Sequence, residues 1–176
     1  MTDPDPPPNA PLQRLRAQLA GPRGYRRIDA LLSSEDAAGA IAALTPNEVF
    51  ELVHEVVFED AQPLLELATP AQYQGCFDLE AWQKDELETV PLKPWLASLM
   101  ETGFEKVGEV WGALDAELRA LILQRQVRIW DVSLGEEPEE DNDNPIMATP
   151  DRFFMLELKG DDETQRLIQH LVEDLY

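Results

Sequence analysis

Imidazole and thiolate are the side chains that most often hold metals or attack substrates near neutral pH. This chain has two histidines and one cysteine. His54-Glu55-Val56-Val57-Phe58 opens like the helix of a zinc protease. That helix needs a second histidine four residues on, so that two imidazoles share one face, and Phe58 stands there instead. The other histidine, His170, is remote in sequence, so His54 is expected to be an ordinary helix histidine. Cys76 follows Gly75 in an apolar stretch with no basic neighbour to favour the thiolate. A structural thiol is expected there, and a lone cysteine forms no intramolecular disulfide. No GxSxG, Walker A or GxGxxG pattern is present.

Carboxylates are the abundant functional group: 35 acidic residues face 14 basic ones, for a net charge of −21. The densest run, Glu139 to Asn144, invites a calcium reading. A calcium-binding helix–loop–helix starting at Glu139 needs glycine at its sixth position and an acid at its twelfth, and finds Asn144 and Pro150. Starting at Asp141 it finds Ile146 and Arg152. Nonspecific screening by cations is the expectation that remains. Acid–base catalysis needs two carboxylates in sharply different environments, and nothing in the spacing singles out such a pair. No catalytic residue, cofactor or metal is therefore predicted.

The charge is also unevenly placed. Residues 1–28 carry five arginines against Asp3 and Asp5, whereas residues 29–176 carry 33 acids against nine bases. An acidic body repels nucleic acid and anionic membrane and favours basic protein surfaces. The local contrast is the cluster Arg23, Arg26 and Arg27. It docks on its own acidic body, is simply solvated, or serves as a partner-binding contact for an anionic group.

These residues must be positioned by short helices. At 176 residues the chain can bury roughly 70% of its unfolded surface without disulfides. Thr45-Pro46-Asn47-Glu48 reads as a helix start: N-cap, proline at the first helical position and a carboxylate that reaches back to the cap. Thr69-Pro70-Ala71-Gln72 repeats the device, and Leu114-Asp115-Ala116-Glu117 is a looser third instance. Ser34 and Asp60 are further candidate caps. Helical segments are expected at 12–19, before Gly21-Pro22, and at 35–44, 46–58, 61–68, 70–77, 92–101, 104–112 and 116–130. The segment 46–58 is apolar on most sides and so expected to be central.

The density of like charge around Pro138 predicts a loop from Gly135 to Asn144. Phe153–Leu158 reads as a strand whose partner is Val127–Ser133, with the acidic loop as the hairpin tip. Asp161-Asp162-Glu163 begins a last helix, with Leu167, Ile168, Leu171, Val172 and Leu175 as its stripe. The expected fold is mainly α, an irregular bundle or small superhelix of short helices, with one β-hairpin near the C-terminus. Its parts are a proline- then arginine-rich arm (1–28), a helical domain (29–131), an acidic loop with the hairpin (132–160) and a C-terminal helix (161–176).

Two stretches resemble known families. Asp36–Glu48, with small residues, Ile41 and Leu44 before Thr45-Pro46, resembles the helical pattern in the cytosolic N-terminal domain of MgtE-type magnesium transporters. Asp78-Leu79-Glu80-Ala81-Trp82-Gln83-Lys84-Asp85, followed by Trp95-Leu96 and the Glu101-Thr102-Gly103 break, resembles a bacterial family catalogued only as a domain of unknown function. That resemblance covers about residues 28–176 and implies no activity, and its members are usually longer. The transporter resemblance implies a cation-responsive regulatory domain. The sequence reading itself favours a cytoplasmic, non-enzymatic adaptor or scaffold whose partner is a protein with a basic surface, and no nucleic acid or membrane. An acidic nucleic-acid mimic is a further alternative.

Overall fold

The computed structural model describes residues 24–83, 86–87, 90–138 and 143–173. The expected helix at 12–19, Arg23 and Glu139–Asn142 of the acidic run lie outside the described residues. Nine helices are found among the described residues: α1 (Tyr25–Leu32), α2 (Ala37–Ala42), α3 (Pro46–His54), α4 (Phe58–Leu67), α5 (Pro70–Ala81), α6 (Lys93–Glu101), α7 (Phe104–Ala113), α8 (Ala116–Gln126) and α9 (Asp162–Glu173). β1 (Trp82–Gln83) and β2 (Glu86–Leu87) form a minimal antiparallel pair between α5 and α6. β3 (Val127–Asp131), β4 (Ile146–Ala148) and β5 (Phe154–Leu158) form a small antiparallel sheet near the C-terminus.

Both Thr-Pro starts are complete capping boxes. The Thr45 hydroxyl accepts from the Glu48 amide while Glu48 accepts from the Thr45 amide at 2.8 Å. Thr69 and Gln72 do the same, again with 2.8 Å on the return bond. Two other expected caps are corrected. The α2 cap is Asp36, which accepts from the Gly39 amide, while the Ser34 hydroxyl donates back to Leu31 at the end of α1. An oxygen two residues before the cap is out of reach of the first-turn amides. Asp60 does not cap α4, because that helix starts earlier, at Phe58, leaving Asp60 in its first turn to accept from the Tyr25 hydroxyl.

The helices pack on their next-but-one neighbours. α3 meets α5 and α5 meets α7 in one row, and α2 meets α4 and α4 meets α6 in another. Each helix thereby buries apolar side chains against a later helix of its row. α1 closes one end against α2 and α4, with Ile28 and Leu31 buried. α9 closes the other against α7, α8 and β5, burying Leu167, Ile168, Leu171 and Val172. Trp95 and Trp111 are essentially fully buried and Phe50 packs against the core.

The central helix is α5 rather than the 46–58 segment. α3 ends at His54 and buries Val49, Leu52 and Val53, whereas α5 runs on to Ala81 and buries Gln72, Tyr73, Cys76, Phe77 and Ala81. Gly75 makes the close crossing possible: a Cβ placed there would lie 2.4 Å from Pro46 Cβ. Only glycine lets two helices approach so closely.

The sheet order is β3-β5-β4, so β5 is central and a third strand joins the expected pair. β3 does pair with β5, as expected, from Val127↔Leu158 to Asp131↔Phe154. The tight turn, however, joins β4 to β5 through Thr149–Phe153, and the acidic segment carries the chain between the two edge strands. Met147 pairs with the buried Leu156 and is itself partly buried against the core. The edge of β3 is blunted: Glu136 binds the Asp131 amide through its carboxylate and the Asp131 carbonyl through its own amide.

Candidate functional site

The histidine, the cysteine and the arginines come to rest in three different environments. His54, at the end of α3, lies with Nε2 2.8 Å from Glu80 Oε2 on α5. The same oxygen accepts from Trp95 Nε1 on α6 at 2.9 Å. A carboxylate only accepts, so the imidazole nitrogen facing it carries the proton. The ring also packs against Phe50, with centroids 4.2 Å apart, and Phe50 stacks on Trp95. One carboxylate thus ties three helices at a single point, among aromatic rings. Among the described residues, no three of His, Cys, Asp and Glu are gathered as metal ligands would be.

Cys76 is fully buried beneath α3, its thiol facing the Pro46 carbonyl at 3.5 Å. Burial, and then the charge of Glu80, push its pKa up to about 12, so the nucleophilic thiolate is suppressed. Tyr73, one turn earlier, has its hydroxyl pushed well above the usual range, chiefly by burial, and donates to the Leu65 carbonyl. These are groups of the core.

Of the arginine cluster, Arg26 and Arg27 fall within the described residues. Arg27 Nη1 lies 2.6 Å from Glu55 Oε1, and the other Glu55 oxygen accepts from the Gly24 amide at 2.9 Å. Arg27 is therefore engaged by the chain's own acidic body. Arg26 is exposed and lines a shallow cleft of about 220 Å³ with Tyr25, Asp29 and Asp60. The structure thus separates two arginines that are adjacent in sequence, because successive positions on a helix point in different directions.

The features that sequence reading missed are apolar side chains left in solvent beside carboxylates. Two regions stand out. At one end of the sheet, Val132 and Leu134 lie on the short 3-10 turn that follows β3, and Val132 is bonded to the Phe153 carbonyl. Leu134 is 76% exposed and Phe153 57%, with Asp131, Glu136 and Asp151 in the same turns. The second region is a groove of about 60 Å³ where the end of α5 meets the start of α8, lined by Asp78, Trp82, Asp115, Glu117, Leu118 and Leu121.

The groove is held open by one side chain. Gln74 Oε1 accepts from the Asp115 amide at 2.8 Å, and Gln74 Nε2 donates to Asp78 Oδ2 at 2.9 Å. Asp115 occupies the N-cap of α8 but makes no side-chain cap bond, so its carboxylate is turned to the groove instead of to its own helix. Trp82, the C-cap of α5, is 53% exposed, and Leu79 one turn back is 42% exposed. Spacing alone did not reveal the groove, because its two halves come from segments more than thirty residues apart. The sequence signal was an N-cap aspartate followed by an acid two residues on.

A further cleft of about 130 Å³ lies between α6 and α9, with Lys93 and Asp161 at its mouth and Leu96, Met100 and Ile168 along its walls. Asp161 accepts from the Thr164 amide at 2.9 Å, and the Thr164 hydroxyl first, then that amide, hold its carboxyl below the usual carboxylate range, with a smaller contribution from Lys93. Its carboxylate serves the start of α9 first.

Fold and surface together define a mainly helical chain closed by a small antiparallel sheet, with exposed apolar side chains set in an acidic surface. The chain belongs to the family of unknown function DUF6178, whose model matches residues 8–176. No curated protein and no solved structure matches it. The comparisons thus agree with the second resemblance and lend nothing to the transporter one. Among the described residues, no helix is long and apolar enough to cross a membrane.

Proposed function

We propose that this chain is a non-enzymatic adaptor or scaffold module that binds a protein partner through a surface both apolar and acidic, the partner presenting a basic surface with apolar residues in it. The observation that carries this reading is the cluster Val132, Leu134 and Phe153, exposed by 40%, 76% and 57% beside acidic turn residues. Single exposed apolar side chains are ordinary, but several at one end of a sheet cost solvation unless something covers them. The acids around them add long-range attraction for a basic partner on a chain of net charge −21. A cytoplasmic setting accompanies the reading, supported by the free thiol of Cys76.

The test is affinity capture from extract with the wild-type chain and with a Leu134→Ser, Phe153→Ser variant, whose substitutions lie in solvent and leave the core intact. The expected result is a partner retained in stoichiometric amount by wild type, released by salt and lost from the variant. A chain that retains nothing at low salt, or a variant that retains the same partner equally well, overturns the reading.

A further inference from the structure

We infer that the groove between the end of α5 and the start of α8 is the seat for a single arginine side chain of a basic partner segment. This deepens the interaction reading above and rests on it, but it concerns a different surface.

The space comes first. About 60 Å³ is the volume of roughly two waters in the liquid. That suits the end of one side chain and is too little for a metabolite, which needs a deep and largely enclosed pocket. The walls come next. Leu118 is buried and Leu121 half-buried, and Trp82 stands half in solvent beside them, so the groove offers an apolar strip and an aromatic ring. An aliphatic stem lies well on such a strip, and a cation over an indole face is attracted by the ring quadrupole. This chain shows the same chemistry internally, where the Arg128 guanidinium lies 4.1 Å from the Trp130 ring centroid.

The rim decides the sign of the charge. Asp78, Asp115 and Glu117 line the groove, and among the described residues no basic one does. Asp78 already accepts from Gln74 through one oxygen, and Asp115, whose backbone amide donates to Gln74, makes no side-chain cap bond to α8. An anionic or purely apolar occupant would leave this rim uncompensated. Arginine fits better than lysine because its planar, weakly hydrated guanidinium both stacks on an indole and forks towards carboxylates on either side.

The experiment is a titration of the full chain with the peptide acetyl-Gly-Arg-Gly-Arg-Gly-amide, followed through the four tryptophan indole N–H resonances. A citrulline counterpart has the same shape without the charge. The Trp82 indole, identified with Trp82→Phe, is expected to shift with the arginine peptide and not with the citrulline one, while those of the buried Trp95 and Trp111 stay in place. Trp82→Ala is expected to weaken binding by about 5-fold, the loss of one cation–π contact. Asp115→Asn with Glu117→Gln is expected to weaken it by about 3-fold. Both variants alter exposed residues, and circular dichroism checks that they are folded.

Wild-type affinity in both variants overturns the groove assignment but leaves the interaction reading standing, since the chain would still bind a basic peptide elsewhere. The assignment also falls if wild type does not bind the peptide, and the extract capture then decides separately whether the chain is an interaction module at all. Self-association that Trp82→Ala abolishes, seen without peptide by sedimentation, assigns the groove to a second copy and overturns the peptide seat.

Discussion

Gln72 is 3% exposed and bonds at both ends. Its Oε1 accepts from the Thr69 amide at 2.8 Å, which closes the capping box of α5. Its Nε2 donates to the Ile41 carbonyl at 2.7 Å, in the last turn of α2, and to the Leu44 carbonyl at 2.8 Å just beyond that helix; Ile41 also accepts from the Leu44 amide, so the Leu44 carbonyl is the one that depends on Gln72. Gln72→Glu keeps the shape and the capping acceptor but removes both donors and sets a carboxylate oxygen against two buried carbonyls. Orphaning a buried acceptor costs about 1–3 kcal/mol, so the substitution is expected to destabilise by about 3 kcal/mol or more. Gln72→Ala loses both ends without adding repulsion and should cost about 3 kcal/mol. Thr69→Ala removes the forward cap bond and the hydroxyl's contact with Gln72 Oε1, and should cost about 1 kcal/mol. Urea denaturation reads these as midpoint shifts at constant slope, about 1.5 M for a 3 kcal/mol loss at a slope near 2 kcal/mol/M. Thermal melts should fall by roughly 6–12 °C for the same loss. The reasoning is refuted if Gln72→Glu unfolds within about 0.5 kcal/mol of wild type, because the amide would then not be the clasp between α2 and α5.

Four other outcomes follow from the same packing. Gly75→Ala gains helix propensity yet drives a Cβ into Pro46, so a net loss of about 1–3 kcal/mol is expected by denaturation, and a gain would show that the α3–α5 crossing relaxes freely. Cys76, with its pKa raised to about 12, should resist a disulfide reagent at pH 8 in the folded chain and react at once in urea. The stability that this raised pKa contributes is complete below the unfolded thiol value near 9 and is lost as pH climbs from there towards 12, so a Cys76→Ala comparison should show a shallower alkaline decline; identical declines would refute the burial effect. Glu80→Ala leaves the buried Trp95 indole N–H without its acceptor and should cost about 1–3 kcal/mol, while Glu80→Gln keeps an acceptor and should cost less than half as much; equal losses would mean that the charge, and not the hydrogen bond, holds the three helices.

Much of the helical framework was legible because its signals are local. Thr45-Pro46 and Thr69-Pro70 determine helix starts through atoms within four residues of each other, so their chemistry needs nothing from the rest of the chain. The β3–β5 pairing was readable for a related reason, since Phe154–Leu158 and Val127–Asp131 both carry strand-like runs. Ser34 and Asp60 misled because a polar residue before an apolar run has several possible acceptors and donors, and packing chose Leu31 and Tyr25 for them. The sheet order was hidden because Ile146–Ala148 is only three residues long, too short for alternation to register.

By itself the sequence determined the charge, the two Thr-Pro helix starts and the lack of a metal or nucleophile motif, all properties of composition or of neighbours along the chain. Only the tertiary structure decided that α5 is the centre, that Arg27 is spent on Glu55, and that Asp78 and Trp82 face Asp115 and Glu117 across a groove. Those relations join residues roughly thirty to forty positions apart, and they exist because burying each helix's apolar face selects one packing in which distant polar groups happen to meet.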